Sequence, residues 1–257
     1  MALVMLLSVA SAVEVPTGDG GTYQVSAWAQ KDVAKALELG LLSGPKSGDY
    51  RQPIERGNFG MSAAKLVALA FGADLDMYWN FVSLRDAMAG KTQTPIYTQL
   101  GILQGRGNGD LDQFGTITRQ EAATMLCRAY AVYGGSLEDA AGPSFADTFT
   151  DAGQVADWAL DSAEAMWALG VMGGTGDGLF TPLGLYTREQ CIVTFLRLWQ
   201  SGPVSRAKDN VAKLEGPSQE ETIAYLKDGP SGFPFNVEKR WDTKLCVVLY
   251  GEYGGMP

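Results

Sequence analysis

The residues best placed to do chemistry are three arginines at matching places along the chain, Arg56, Arg119 and Arg188. Two of them directly follow a threonine, in Thr118-Arg119-Gln120-Glu121 and Thr187-Arg188-Glu189-Gln190. Thr followed three residues later by Glu or Gln is a capping box, in which the hydroxyl and the longer side chain satisfy each other's amides at a helix start. The box accounts for the threonines and the Glu or Gln but not for the arginine. A cation at the first helical position faces the positive end of the helix dipole, at a cost of roughly 0.3–1 kcal/mol. An exposed guanidinium beside free helix-terminal N–H groups would make an anion site for a carboxylate or phosphate. The competing reading is an ion pair with a nearby acid, Asp110, Asp112 or Asp177. Spacing leaves both open.

Other chemistries are narrowed by composition. The 257 residues contain no histidine, which removes Ser-His-Asp and Cys-His catalysis and His-ligated metal sites. Three scattered cysteines, Cys127, Cys191 and Cys246, form neither a thiolate cage nor a disulfide framework. Cys127 and Cys191 sit in apolar helical patterns and read as small buried thiols. Asp110, Asp112, Gly115, Ile117 and Glu121 fall at positions 1, 3, 6, 8 and 12 of a calcium loop, but position 5 is Phe114, which cannot ligate. No cofactor, metal site or catalytic acid–base pair is nominated, and the expectation is a binding protein rather than an enzyme. A carboxylate-based glycan hydrolase would need two acids flanking a groove, which sequence does not display. A net charge of −9 disfavours nucleic acid and anionic membrane surfaces as partners.

The elements that must position these arginines recur. Gly40 to Gly72, Gly101 to Gly134 and Gly170 to Gly202 share a skeleton in which a Gly is followed four residues later by another: Gly40/Gly44, Gly101/Gly105 and Gly170/Gly174. The arginines are 63 and 69 residues apart. Before the first Gly lies a helical pattern. Ala29, Val33, Ala36, Leu37 and Gly40 fall at i, i+4, i+7, i+8 and i+11, and the terminal glycine suits a left-handed cap. Trp28-Ala29 and Trp158-Ala159 each stand twelve residues ahead of that glycine. Within such patterns tryptophan reads first as core and second as a sugar-stacking platform. The middle copy is degenerate here, keeping Ile96, Tyr97 and Leu100 behind Pro95. After each arginine a second amphipathic helix follows, with Ala122, Met125, Leu126, Ala129 and Tyr130 in the middle copy and Ile192, Phe195, Leu196 and Trp199 in the last. One helix–loop–helix unit cannot bury its apolar face alone, so three should pack together.

These ordered motifs resemble the S-layer homology family. The last copy carries the fullest set: Phe145-Ala146-Asp147, Trp158-Ala159, Gly170, Gly174, Phe180-Thr181-Pro182 and Tyr186-Thr187-Arg188. The middle copy keeps Gly101, Gly105, Phe114 and Ile117 to Glu121, while the first keeps Trp28-Ala29, Gly40, Gly44, Pro53 and Arg56. The resemblance implies a mainly α fold, three repeats in a pseudo-threefold spindle around a central helical bundle. It also implies attachment of exported proteins to the wall through secondary cell-wall polysaccharide, often pyruvylated. On that reading Arg119 and Arg188 would contact the pyruvyl carboxylate beside Thr118 and Thr187, and Gly105 and Gly174 would let the backbone approach the ligand. Asp147 and Trp158 would shape the last unit's groove. The first copy departs, with Glu55 in place of Thr and Gly57 weakening its helix start, so a site on Arg56 is the least expected. A spindle that has lost sugar binding and serves as an envelope protein scaffold is the alternative.

The expected organisation is a leader over 1–12, repeats over 24–80, 81–135 and 144–202, and a linker with the start of a further domain over 203–257. The leader reading rests on Ala2–Ala12, an apolar run ending in Ala10-Ser11-Ala12, and implies secretion and a place at the wall or S-layer. No stretch is apolar and long enough for a membrane span. In 203–257, Gln219–Lys227 reads as a helix and Lys244–Tyr250 as a strand.

Overall fold

The structure, a computed structural model, describes residues 12–17, 20–41, 47–70, 95–107, 110–132, 135–136 and 140–201. The leader up to residue 11, Gly44, Gly72, Gly134, Gly202 and the whole of 203–257 with Cys246 lie outside the described residues.

The chain is mainly α with one small sheet. Strands β1 (Ala12–Pro16) and β2 (Thr22–Ser26) pair antiparallel, Ala12 opposite Ser26, and β3 (Gly48–Asp49) joins β2 in parallel. Tyr23 and Val25 alternate inward from β2, the period of a half-buried strand. Helices follow as α1 (Gln30–Glu38), α2 (Arg56–Ala70), α3 (Ile96–Gln99), α4 (Arg119–Val132), α5 (Phe145–Thr148), α6 (Asp157–Ala168) and α7 (Arg188–Gln200). None of the described helices is long and apolar enough to cross a membrane.

The helices pack around α2. Helix α4 lies on α6, α7 on α1 and α2 on α3, and α2 also meets α4 and α7. The buried faces follow the expected stripes: Ala29, Val33 and Ala36 from the α1 segment, Ala122, Met125, Leu126, Ala129 and Tyr130 from α4, and Ile192, Phe195 and Leu196 from α7. Gly40, Gly101 and Gly170 close α1, α3 and α6 with φ of 69°, 71° and 68°. This is the left-handed cap that glycine takes without a Cβ penalty.

At the centre a ring of three backbone hydrogen bonds joins the segments just before α2, α4 and α7. Ile54 N donates to Tyr186 O (2.8 Å), Tyr186 N to Ile117 O (2.9 Å) and Ile117 N to Ile54 O (3.4 Å). All three side chains are buried beneath it. The same cycle fills the helix N-termini. Arg56 N and Gly57 N donate to Gly115 O and Gln113 O. Arg119 N and Gln120 N donate to Gly184 O and Pro182 O, and Arg188 N and Glu189 N to Gln52 O and Tyr50 O. Each motif helix thus rests its first two amides on the loop that precedes another.

Candidate functional site

The capping box forms at α7, where Thr187 Oγ1 accepts Gln190 N and Gln190 Oε1 accepts Thr187 N (3.1 Å). At α4 the Glu121 carboxylate takes Thr118 N (2.8 Å) and Thr118 Oγ1 (2.9 Å) through one oxygen. At α2 the geometry is reversed, with Asn58 Nδ2 donating to Glu55 Oε2 (3.0 Å). The N-terminal amides are therefore spent on loop carbonyls and caps, which corrects the expectation of free helix-end donors beside an exposed arginine.

Arg56 and Arg119 are themselves buried, each 5% exposed. Arg56 Nε donates to Leu111 O (3.2 Å), Nη2 to Gln104 O (3.0 Å) and Nη1 to Glu121 Oε1 (2.9 Å). Arg119 Nε donates to Phe180 O (2.8 Å) and Nη2 to Gly173 O (2.6 Å), with the guanidinium 5.0 Å over the Phe180 ring and 5.5 Å over Tyr186. Burial lowers both guanidinium pKa values, with Glu121 opposing the shift at Arg56. Arginine nonetheless stays charged. The acid that pairs with Arg56 is Glu121, which is not among the acids named from spacing. Asp112 pairs with Arg106 instead (3.2 Å), and Glu121 bridges Arg56 and Arg106 (3.1 Å). The acids at the calcium-loop spacing are thus turned toward arginines or, for Asp110, toward the Asp112 amide. The half-buried Arg188 stands at the start of α7.

A groove of about 340 Å³ opens where these elements meet. Arg56 reaches it from α2, Gln104, Gly105 and Arg106 from the loop after α3, Glu121 and Arg128 from α4, and Trp158 from α6. Of the site residues read from sequence, the groove brings together Arg56, Gly105 and Trp158. Arg119, Arg188, Thr118, Thr187, Gly174 and Asp147 do not line it, and Asp147 is exposed on α5. Trp158 is 59% and Trp28 55% exposed. The core reading of these tryptophans is corrected because the buried face of α6 is built from small residues, Ala159 and Ala163, with Met166. Gly105 and Gly174 serve the loop itself, since a Cβ would come within 2.9 Å of Asp110 O and 2.8 Å of Phe149 Cε1 respectively. Gly57 has a similar cause: its Cβ would meet Gln113 O at 3.0 Å.

Sequence reasoning missed Arg106 and Arg128. Arg128 donates to Ile102 O (3.4 Å) and has no carboxylate partner among the described residues. A signal was present: a cation stands nine residues after each motif arginine, as Lys65, Arg128 and Arg197. Nine residues turn a helix by about 900°, half a turn beyond two full ones. Such a pair points to opposite sides and escapes any search for a stripe.

Residues 148–191 match the family described as the S-layer homology domain. The chain is 30% identical over 169 residues, 64% of its length, to an uncharacterized cell wall amidase of Bacillus anthracis, of which it covers 29%. It is 32% identical over 92 residues, 36% of its length, to an endoglucanase of Bacillus sp. (strain KSM-635), of which it covers 10%. The chain thus spans less than a third of either relative. One S-layer homology domain is matched.

Proposed function

We propose that this chain holds an exported protein at the cell surface by binding secondary cell-wall polysaccharide in the groove beside α4. The observation that carries the reading is a concentration of cations in an acidic chain. Three arginines line the groove against one carboxylate, Glu121, which pairs with Arg56 and Arg106 and leaves Arg128 beside an exposed indole to receive a carboxylate-bearing sugar. A pyruvylated amino sugar fits that demand, with its acid at the guanidinium groups and its ring on Trp158. The spindle of three repeats is part of this proposal. Its support is the cyclic bonding of Ile54, Tyr186 and Ile117 and of the first amides of the three motif helices. The enzyme names of the relatives belong to chains mostly outside the aligned parts, and no activity is carried over here.

The scaffold reading has its own support in Phe114, 80% exposed, and Leu183, which both crown loops carrying the helix N-termini. Co-sedimentation with wall sacculi separates the two. Binding lost when the secondary polysaccharide is acid-stripped supports the anchor. Undiminished binding to stripped walls, or none by folded protein, moves the assignment to the scaffold.

A further inference from the structure

The loop between α3 and α4 makes a charged contact with itself beside the groove. Arg106 Nε meets Asp112 Oδ2 at 3.2 Å, while Arg106 Nη2 meets Glu121 Oε1 at 3.1 Å. Both members of the loop pair reach solvent, their side chains 47% and 40% exposed. Arg106 lines the groove and Asp112 does not. The same crossing recurs 69 residues on in neutral form, where Thr175 Oγ1 meets Thr181 Oγ1 at 2.6 Å. Asp112 and Thr181 share the left-handed backbone, with φ of 46° and 59°. Each folds over a glycine: a Cβ on Gly115 would lie 2.6 Å from Asp112 Cγ, and one on Gly184 2.8 Å from Thr181 Cγ2. The crossing therefore belongs to the fold, and two hydroxyls suffice to make it. The opposite charges on the α4 side are more than the loop needs.

We infer that Arg106 is a second arm for the ligand's carboxylate beside Arg128, and that Asp112 is the positioning residue that holds this arm off the groove until an acidic sugar arrives. The inference rests on the proposed function, since it takes the groove beside α4 as the polysaccharide site. The strengths favour release of the arm. An ion pair this exposed favours its own contact by about fivefold at most. A charge-assisted bond to a carboxylate in the groove favours contact by about tenfold or more. Glu121 loses little when Arg106 turns away, because Arg56 Nη1, Thr118 N and Thr118 Oγ1 still donate to it. Arg56 does not make the same move, since it is buried and bound to Leu111 O and Gln104 O as well.

The test is calorimetry of the full chain with pyruvylated wall polysaccharide and with the same polymer after mild acid has removed the pyruvate. Asp112→Asn keeps a residue that tolerates the left-handed backbone and loosens Arg106. It should tighten binding of the pyruvylated polymer about threefold or more, the scale of one exposed ion pair, with no gain for the stripped polymer. Arg106→Thr combined with Asp112→Thr installs the neutral crossing the fold already carries at Thr175 and Thr181 and leaves the net charge unchanged. It should weaken binding of the pyruvylated polymer about threefold or more, while urea midpoints stay near that of the wild type. A double variant that binds like the wild type, or an Asp112→Asn protein that binds no tighter, would overturn the inference and leave the polysaccharide reading standing. Equal gains for both polymers would overturn it too, because the freed arm would then answer no carboxylate. No heat from the wild type with either polymer would overturn the polysaccharide reading and the inference together.

Discussion

Replacing Glu189 by alanine is expected to destabilise the fold by about 2–4 kcal/mol, although Glu189 belongs to no groove described above. Its buried carboxylate accepts Ser26 N and Ser26 Oγ, both at 2.7 Å, and ties the β2 end to the start of α7 across 163 residues of sequence. Hydrogen bonds to a charged acceptor contribute about 1.5–3 kcal/mol each, and orphaned buried donors lose the full amount. The relief of a desolvated charge offsets part of the sum, which gives the figure stated. Urea unfolding followed by circular dichroism reads it directly. With a slope of about 2–3 kcal/mol per molar for a chain this size, the midpoint should fall by roughly 1 M at constant slope. Ser26→Ala removes one of the two bonds and should cost about 1.5–3 kcal/mol. The double variant should then cost less than the two singles added. A Glu189→Ala loss below about 1 kcal/mol, or strict additivity with Ser26→Ala, would refute the idea that this carboxylate joins the two segments.

Three further outcomes follow from the same structure. Gly174→Ala should destabilise by about 1–3 kcal/mol, because the new Cβ meets Phe149 Cε1 at 2.8 Å and Leu179 O at 3.0 Å, and thermal melting would show it. Burial pushes the Tyr186 phenol up to about 12. A raised tyrosine contributes stability that is complete below its unfolded value near 10 and lost as pH rises toward 12. Absorbance at 295 nm should therefore show Tyr186 titrating with alkaline unfolding, and Tyr186→Phe should flatten the loss of stability across that window. Arg51 holds the Asp49 carboxyl well below the usual carboxylate range. Arg51→Ala should thus weaken the protein in full above pH 4, and the difference from wild type should begin to narrow below about pH 4, where Asp49 of the unfolded chain takes up its proton first, as paired melts at pH 7 and pH 3 would record.

The sequence exposed those features that repeat at fixed spacing. The stripes of α1, α4 and α7, the capping glycines and the matched arginines are periodic, and periodicity survives without coordinates. The β1–β2 hairpin was not legible, because its five-residue strands sit where an apolar leader draws the eye. The role of Glu189 was not legible beside the capping box of Thr187 and Gln190. That role is a contact with Ser26 that no local pattern encodes. The site was half legible. Arg56, Gly105 and Trp158 stand out in the sequence, but spacing left open whether the arginines lie exposed at helix starts or pair with acids. The fold instead buries two of them against loop carbonyls and fills the groove with Arg106 and Arg128. The groove takes residues from separate segments, so its membership depends on how the helices are arranged around the central ring.

The most direct test of the central claim is isothermal calorimetry of the full chain against secondary wall polysaccharide released from sacculi, beside Arg128→Ala, Trp158→Ala and the double variant. Neither residue is buried, so the fold should survive both changes. Each single change is predicted to weaken binding about fivefold or more, from the loss of a charge-assisted bond or a stacking surface of roughly 1 kcal/mol. Affinity unchanged in the double variant, or no heat with the wild type, would contradict the groove as the wall-binding site.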